Sequence, residues 1–146
     1  MLYRRTALHY LATFGVALAS CSKPESPPPG HVQHSILRQW IPKHKSRQGA
    51  VAFTDSIGLD ILLEADVDQP ELVSFVKEKA LGGEYVIIRV YTSRECWSDQ
   101  TGESDACKTG IVLVYLKNPS SGQNEIRWVQ QEGKFSGLFG TATPLQ

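Results

Sequence analysis

The sequence predicts an α+β domain of two layers, an antiparallel or mixed sheet of about four to five strands with one principal helix on a face. Three observations predict it. A segment with both helix ends marked lies at about residues 69–81. Two apolar runs rich in β-branched and aromatic residues, "EYVIIRVYTS" and "IVLVYLK", have the make-up of buried strands. Strand patterns both precede and follow the helix, in the order strand, strand, helix, strand, strand, strand.

The elements follow along the chain. "HSILRQWIP" fits a short strand or a turn of helix, and its pattern does not choose. "AVAFT", Ala50 to Thr54, is a short apolar run, and "DSIG" supplies turn residues. "LDILLEADV" then alternates. Leu59, Ile61, Leu63, Ala65 and Val67 point one way, and Asp60, Glu64 and Asp66 the other, with Leu62 the exception. That is the period of a half-buried strand. The expectation is a hairpin of these two runs with its acidic residues in water.

"DQPELVSFVKEKALGG" carries the helix. Asp68 suits an N-cap, and Glu71 three residues on completes a capping-box pattern. Pro70 falls in the first turn, where a missing N–H is harmless. Leu72, Val73, Phe75, Val76 and Ala80 form the apolar face. Lys77 and Lys79 lie where the helix dipole favours cations, and Gly82 and Gly83 end the element.

"EYVIIRVYTS" is apolar on both faces apart from Arg89, which predicts a central strand. If it runs parallel to its predecessor, the crossover through the helix is right-handed. "IVLVYLK" is the next strand. "NPSSG" turns the chain, and "NEIRWVQ" returns as its hairpin partner. "KFSGLFGTATPLQ" is expected to cap the core with its two phenylalanines.

The first thirty residues belong to a different plan. Arg4 and Arg5 precede an apolar run, Leu8 to Ala19, that falls short of the about 20 residues a membrane span requires. It has the length and flanks of a signal-peptide apolar region. Small residues and a cysteine follow: Leu18-Ala19-Ser20-Cys21. This stretch resembles the lipobox of bacterial lipoproteins. The resemblance covers the leader alone. It implies cleavage before Cys21, diacylation of its thiol and acylation of its new amino group. Chains of that kind hold a protein on a membrane through about 0.8 kcal/mol per buried CH₂. Ser22 stands where an aspartate favours inner-membrane retention, so in a Gram-negative cell the resemblance implies the periplasmic face of the outer membrane.

"SKPESPPPG" then places four prolines in nine residues. Such a segment favours extended polyproline II and, at about 3.1 Å per residue, makes a stalk of roughly 30 Å. The resulting organisation is a leader at 1–20, a lipidated cysteine and linker at 21–35, and one α+β domain at 36–146.

The chain has 15 basic and 15 acidic residues. Loss of Arg4 and Arg5 with the leader leaves 13 against 15, a net of −2. Neither a nucleic-acid footprint nor a polyacid follows from that balance. Cys96 and Cys107 are the cysteines left beside Cys21. In an exported chain they are expected to pair, closing the polar loop "CWSDQTGESDAC". The rival, a metal site, wants more ligands than two separated sulfurs.

The candidate binding loop is this braced segment, with Trp97, Asp99, Glu103 and Asp105. Trp97 either stands exposed for a partner or packs beneath the loop, and the sequence favours neither. Ser98 has no base or oxyanion hole implied beside it. His31 and His34 have the spacing of a shared helical face, but nothing near them completes a metal set. The basic cluster around Trp40, with Arg38, Lys43, Lys45 and Arg47, suits a solvated loop better than a lipid or peptidoglycan contact. The acidic strip Asp60, Glu64, Asp66 and Asp68 lacks a calcium-loop pattern and reads as a solvated strand face.

No catalytic constellation, cofactor motif or metal set emerges. The expectation is a non-enzymatic, membrane-anchored envelope lipoprotein, a binding or accessory module for an envelope protein or peptidoglycan. The alternative is a periplasmic inhibitor that inserts a loop into a lysozyme-like enzyme.

Overall fold

The computed structural model describes residues 31–46, 49–51, 55–99 and 101–146. The leader, Cys21 and most of the linker lie outside these residues. In chain order the elements are β1 (His34–Trp40), β2 (His44–Ser46), β3 (Gly49–Val51), β4 (Ser56–Leu63), α1 (Gln69–Lys79) and β5 (Tyr85–Tyr91). Then come α2 (Arg94–Ser98), α3 (Asp105–Gly110), β6 (Ile111–Asn118), β7 (Gln123–Trp128) and β8 (Ala142–Pro144). A 3₁₀ turn at Ser136–Leu138 precedes β8.

The fold is α+β with one mixed sheet of six strands, ordered β1-β4-β5-β6-β7-β8. β4 and β5 are parallel and joined through α1; the other pairs are antiparallel. Six strands exceed the four to five expected for two reasons. "HSILRQW" is a full strand, and the C-terminal tail adds β8 to the far edge.

The expected hairpin of "AVAFT" with "LDILLEADV" does not form. β4 takes β1 as its antiparallel partner, with Arg38 opposite Asp60 and Trp40 opposite Gly58. Gly49–Val51 pairs instead with His44–Ser46 in a separate two-stranded ladder. β1 is long enough to bond along most of β4, whereas the strand that overlaps "AVAFT" is the three residues Gly49–Val51.

α1 covers one sheet face. Leu59 and Ile61 of β4, Val86, Ile88 and Val90 of β5, Leu113 and Tyr115 of β6, and Ile126 and Trp128 of β7 are buried there with Leu72, Phe75 and Val76 of the helix. Each such large side chain contributes roughly 1.5–3 kcal/mol when fully buried. The tail caps this layer through Phe135, whose ring lies 5.4 Å from that of Trp128, and through Leu145. Phe139 of the same tail stands 53 % exposed.

Asp68 occupies the N-cap of α1, but its side chain caps nothing. Together with Asp66 it holds Lys134 Nζ, at 3.1 and 2.9 Å, tying the tail to the helix start. Ala80 is the C-cap, and Gly82 follows at φ 80°, a conformation that glycine adopts at no steric cost.

Candidate functional site

Strand alternation sends Asp60, Arg89 and Tyr91 to the sheet face that α1 leaves uncovered. Asp60 was expected in water there. It is instead fully buried, at 0 % exposure. Register explains how. Asp60 is the cross-strand neighbour of Arg38 on β1 and of Arg89 on β5. A register shift between Ile36 and Arg38 sets the phase of the β1 end.

The Asp60 carboxylate accepts four hydrogen bonds. Arg89 donates from Nε to Oδ1 at 2.7 Å and from Nη2 to Oδ2 at 3.0 Å. Arg38 donates from Nε to Oδ2 at 2.9 Å, and Trp97 from Nε1 to Oδ2 at 3.1 Å. Burial of a carboxylate costs several kcal/mol after relaxation, so it persists only with partners of this quality. The arginine side chains remain partly in water, at 52 % for Arg38 and 32 % for Arg89.

Trp40 backs the cluster. The guanidinium carbons of Arg38 and Arg89 lie 4.6 and 5.0 Å from its ring centroid. Gly58 makes room for it: a Cβ there would fall 2.4 Å from Trp40 Cε2.

The cysteine loop supplies Trp97. Cys96 and Cys107 are bonded, with S–S 2.15 Å and Cα–Cα 4.7 Å. Ser93 caps α2 by accepting from the Cys96 amide at 3.3 Å. Cys96, Cys107 and Tyr91 form a small second core, against which Trp97, Leu62 and Ile111 pack. Trp97 is therefore half-buried, pinned by its indole N–H, and serves at once as packing and as wall.

These groups enclose an open recess of about 500 Å³, lined by Arg38, Asp60, Arg89, Tyr91, Trp97 and the Ser98–Asp99 rim. Tyr91 is only 6 % exposed, and burial pushes its hydroxyl pKa up. Among the described residues that hydroxyl has no hydrogen-bond partner.

The other members of the predicted loop behave differently. The Asp99 carboxylate accepts from the Thr101 amide and hydroxyl and from the Ser104 amide, at 3.0, 2.7 and 2.9 Å. Those bonds, the Ser104 amide first, hold it far below the usual carboxylate range. Glu103 is exposed and outside the recess, and Asp105 pairs with Lys108 at 2.7 Å on the far side of the loop. The acidic strip is likewise divided. Asp60 enters the recess, Glu64 accepts from the Ser35 hydroxyl, and Asp66 and Asp68 hold Lys134.

His31 and His34 sit 6.4 Å apart by ring centroids, but His34 is spent on the Val32 carbonyl, at 2.8 Å, and on the Phe75 ring. Among the described residues no three His, Cys, Asp or Glu side chains gather as a metal set. Cys21 lies outside the described residues.

Arg89 and Tyr91 were not among the candidates from the sequence, and Arg38 and Trp40 stand there in a basic cluster better suited to a solvated loop than to a lipid or peptidoglycan contact. One signal was present: Arg89 is the lone charge in an otherwise apolar strand, and a charge in that setting requires a buried counter-ion.

The chain matches no family model, no curated protein sequence and no solved structure.

Proposed function

We propose that the chain is a non-enzymatic binding module of a cell-envelope lipoprotein, anchored through Cys21, whose binding surface is the Arg38–Arg89–Trp97 recess. One observation carries this reading. Two guanidiniums converge on one buried carboxylate, both of whose oxygens accept hydrogen bonds, in an open recess with an aromatic wall. A purely structural need would be met as well by apolar residues of similar size, which often equal or exceed a buried ion pair in stability. An arginine pair pre-oriented over tryptophan is what recognition of an anionic partner requires.

The non-enzymatic reading is supported by how the two carboxylates are engaged: Asp60 accepts from Arg38, Arg89 and Trp97, and Asp99 is bonded within its own loop. The inhibitor reading is less well supported. The segment "KFSGLFG" spends Phe135 on the core and leaves Phe139 as its exposed aromatic.

Two measurements test the proposal. Intact mass of the membrane-extracted protein, with and without reduction and alkylation, should show acyl chains on an N-terminal Cys21. Co-sedimentation of the full chain with purified envelope polymer should be lost in Arg38→Gln while thermal unfolding is retained. An unlipidated chain removes the anchor, and unchanged sedimentation of Arg38→Gln removes the recess.

A further inference from the structure

We infer that the recess receives a single carboxylate carried on a sugar ring, so that the partner is an acidic saccharide. The inference rests on the recess being the binding surface and names the chemical class it takes.

Charge balance comes first. Arg38 and Arg89 bring two positive charges, and Asp60 brings one negative. Asp99 is on the rim, but its carboxylate is bonded to Thr101 and Ser104. Asp60 is thus the one carboxylate bonded to the two guanidiniums, and a single singly charged oxyanion can join the pair on the Arg38 side, although the lining as a whole carries two positive and two negative charges. A dianion such as phosphate would bring a second negative charge up against Asp60 and Asp99, at a cost.

Donor geometry points the same way. Arg38 gives Asp60 only its Nε–H, and no other hydrogen bond engages its guanidinium among the described residues. The planar fork that remains matches a carboxylate in two-point contact. The Tyr91 hydroxyl, also without a partner among the described residues, stays protonated at neutral pH and supplies a further donor in the same wall.

The walls select the body that bears the carboxylate. Trp97 offers aromatic surface beside the buried Tyr91, and among the described residues no aliphatic side chain lines the recess. The C–H face of a pyranose packs on such rings while its hydroxyls meet polar neighbours such as Ser98. A peptide C-terminus fits less well. It is commonly held by a nest of backbone N–H groups beside pockets for its side chains. Here the donors that line the recess are side chains.

The test uses the full lipidated chain in detergent micelles with ¹⁵N-labelled tryptophan. The Trp97 Nε1–H reports the recess, because it is bonded to Asp60. The Trp128 Nε1–H reports the fold, because it is buried and bonded to Thr143 at 3.0 Å. Oligomers of glucuronate are titrated beside neutral glucose oligomers, inorganic phosphate and a short peptide with a free C-terminus. The expected result is a saturable shift of the Trp97 resonance with glucuronate and none with the neutral oligomer. Phosphate and peptide should bind at least about ten-fold more weakly, and Arg38→Gln should weaken glucuronate by at least about ten-fold, the loss of a charge-assisted hydrogen bond. If Arg38→Gln also moves Trp128, Tyr91→Phe replaces it, with weakened glucuronate binding expected again.

A Trp97 response to phosphate or peptide that equals or exceeds the glucuronate response overturns the saccharide class but keeps the recess as binding surface. An equal response to the neutral oligomer overturns the role of the carboxylate. No response of Trp97 to any probe overturns both readings.

Discussion

Asp60 and Arg89 face each other across the parallel β4–β5 pair and are joined by two hydrogen bonds, of 2.7 and 3.0 Å, with the carboxylate wholly shielded from water. That pair is the hinge of the recess. Arg38 and Trp97 complete it from β1 and from the braced loop.

Removing Asp60 should cost more than removing either arginine. Asp60→Ala leaves two cations converging on an empty space and an indole N–H without its acceptor. The expected loss is about 3 kcal/mol, the low end for a broken buried pair because both arginines reach solvent. Arg38→Ala, at a half-exposed position, should cost under about 1 kcal/mol. Urea unfolding followed by far-UV circular dichroism ranks the two. Equal effects would contradict the central role of Asp60.

Trp97 should be separable into packing and hydrogen bond. Trp97→Phe keeps an aromatic ring against Cys96 and Tyr91 but loses the N–H to Asp60. A hydrogen bond to a charged group is worth about 1.5–3 kcal/mol, and Asp60 retains its arginine bonds, so about 1.5 kcal/mol is expected. Denaturant midpoints of Trp97→Phe and Trp97→Ala should differ, with Ala the lower.

Breaking the disulfide should loosen the loop before the sheet. The loop closed by Cys96 and Cys107 is short, and its loss costs about 3 kcal/mol in the chain-entropy account. In the double variant Cys96→Ser/Cys107→Ser, hydrogen exchange at the Trp97 indole should accelerate. Amides of β5 and β6 should follow only with global unfolding.

Gly58→Ala should dislodge Trp40. The new methyl would sit 2.4 Å from the indole, and backbone on both sides is fixed by ladder bonds. Overpacking of this kind costs typically about 1–3 kcal/mol. A blue- or red-shifted tryptophan emission with an intact far-UV spectrum would locate the effect at Trp40. A wild-type emission spectrum would argue against the close approach.

The Asp99 turn should fail only in strong acid. Its folded-state pKa is depressed, so its bonds are complete above the ordinary carboxylate value of about 3.9 and fail as pH falls toward the lower folded value. Exchange protection of the Thr101 and Ser104 amides should therefore persist at and somewhat below pH 4, and be lost only as the acid becomes strong enough to protonate the folded carboxylate. In Asp99→Ala the Ser104 amide should be unprotected at every pH.

The helix was legible because its signals are local: Asp68 and Pro70 at one end, Gly82 at the other, and an apolar face between. β5, β6 and β7 were legible for the same reason, each apolar run being bounded by turn residues. Strand partnership was not. Nothing local says that β4 prefers "HSILRQW" to "AVAFT", since pairing is decided by length and by which apolar faces must be covered together. The recess was hidden for a related cause. Asp60 looks solvated when β4 is read alone, and becomes buried only when two neighbours from distant segments bring arginines to the same level. The Asp68 capping box misled in the opposite direction. Its pattern is present, yet Lys134, far along the chain, takes the carboxylate instead.

The mixed topology has a consequence for how the recess comes into being. Arg38, Asp60, Arg89 and Trp97 stand on four separate elements, and their meeting depends on one antiparallel and one parallel ladder plus the braced loop. Contacts between such remote segments form late, because the chain entropy of closing long loops must be overcome first. Asp60, Arg89 and Trp97 lie in one stretch of the chain, but Arg38 reaches them only once β1 has paired with β4. An occupant would thus bind the finished fold and ignore every partly folded form, and it would raise the melting temperature of the whole domain together rather than stiffen one corner of it.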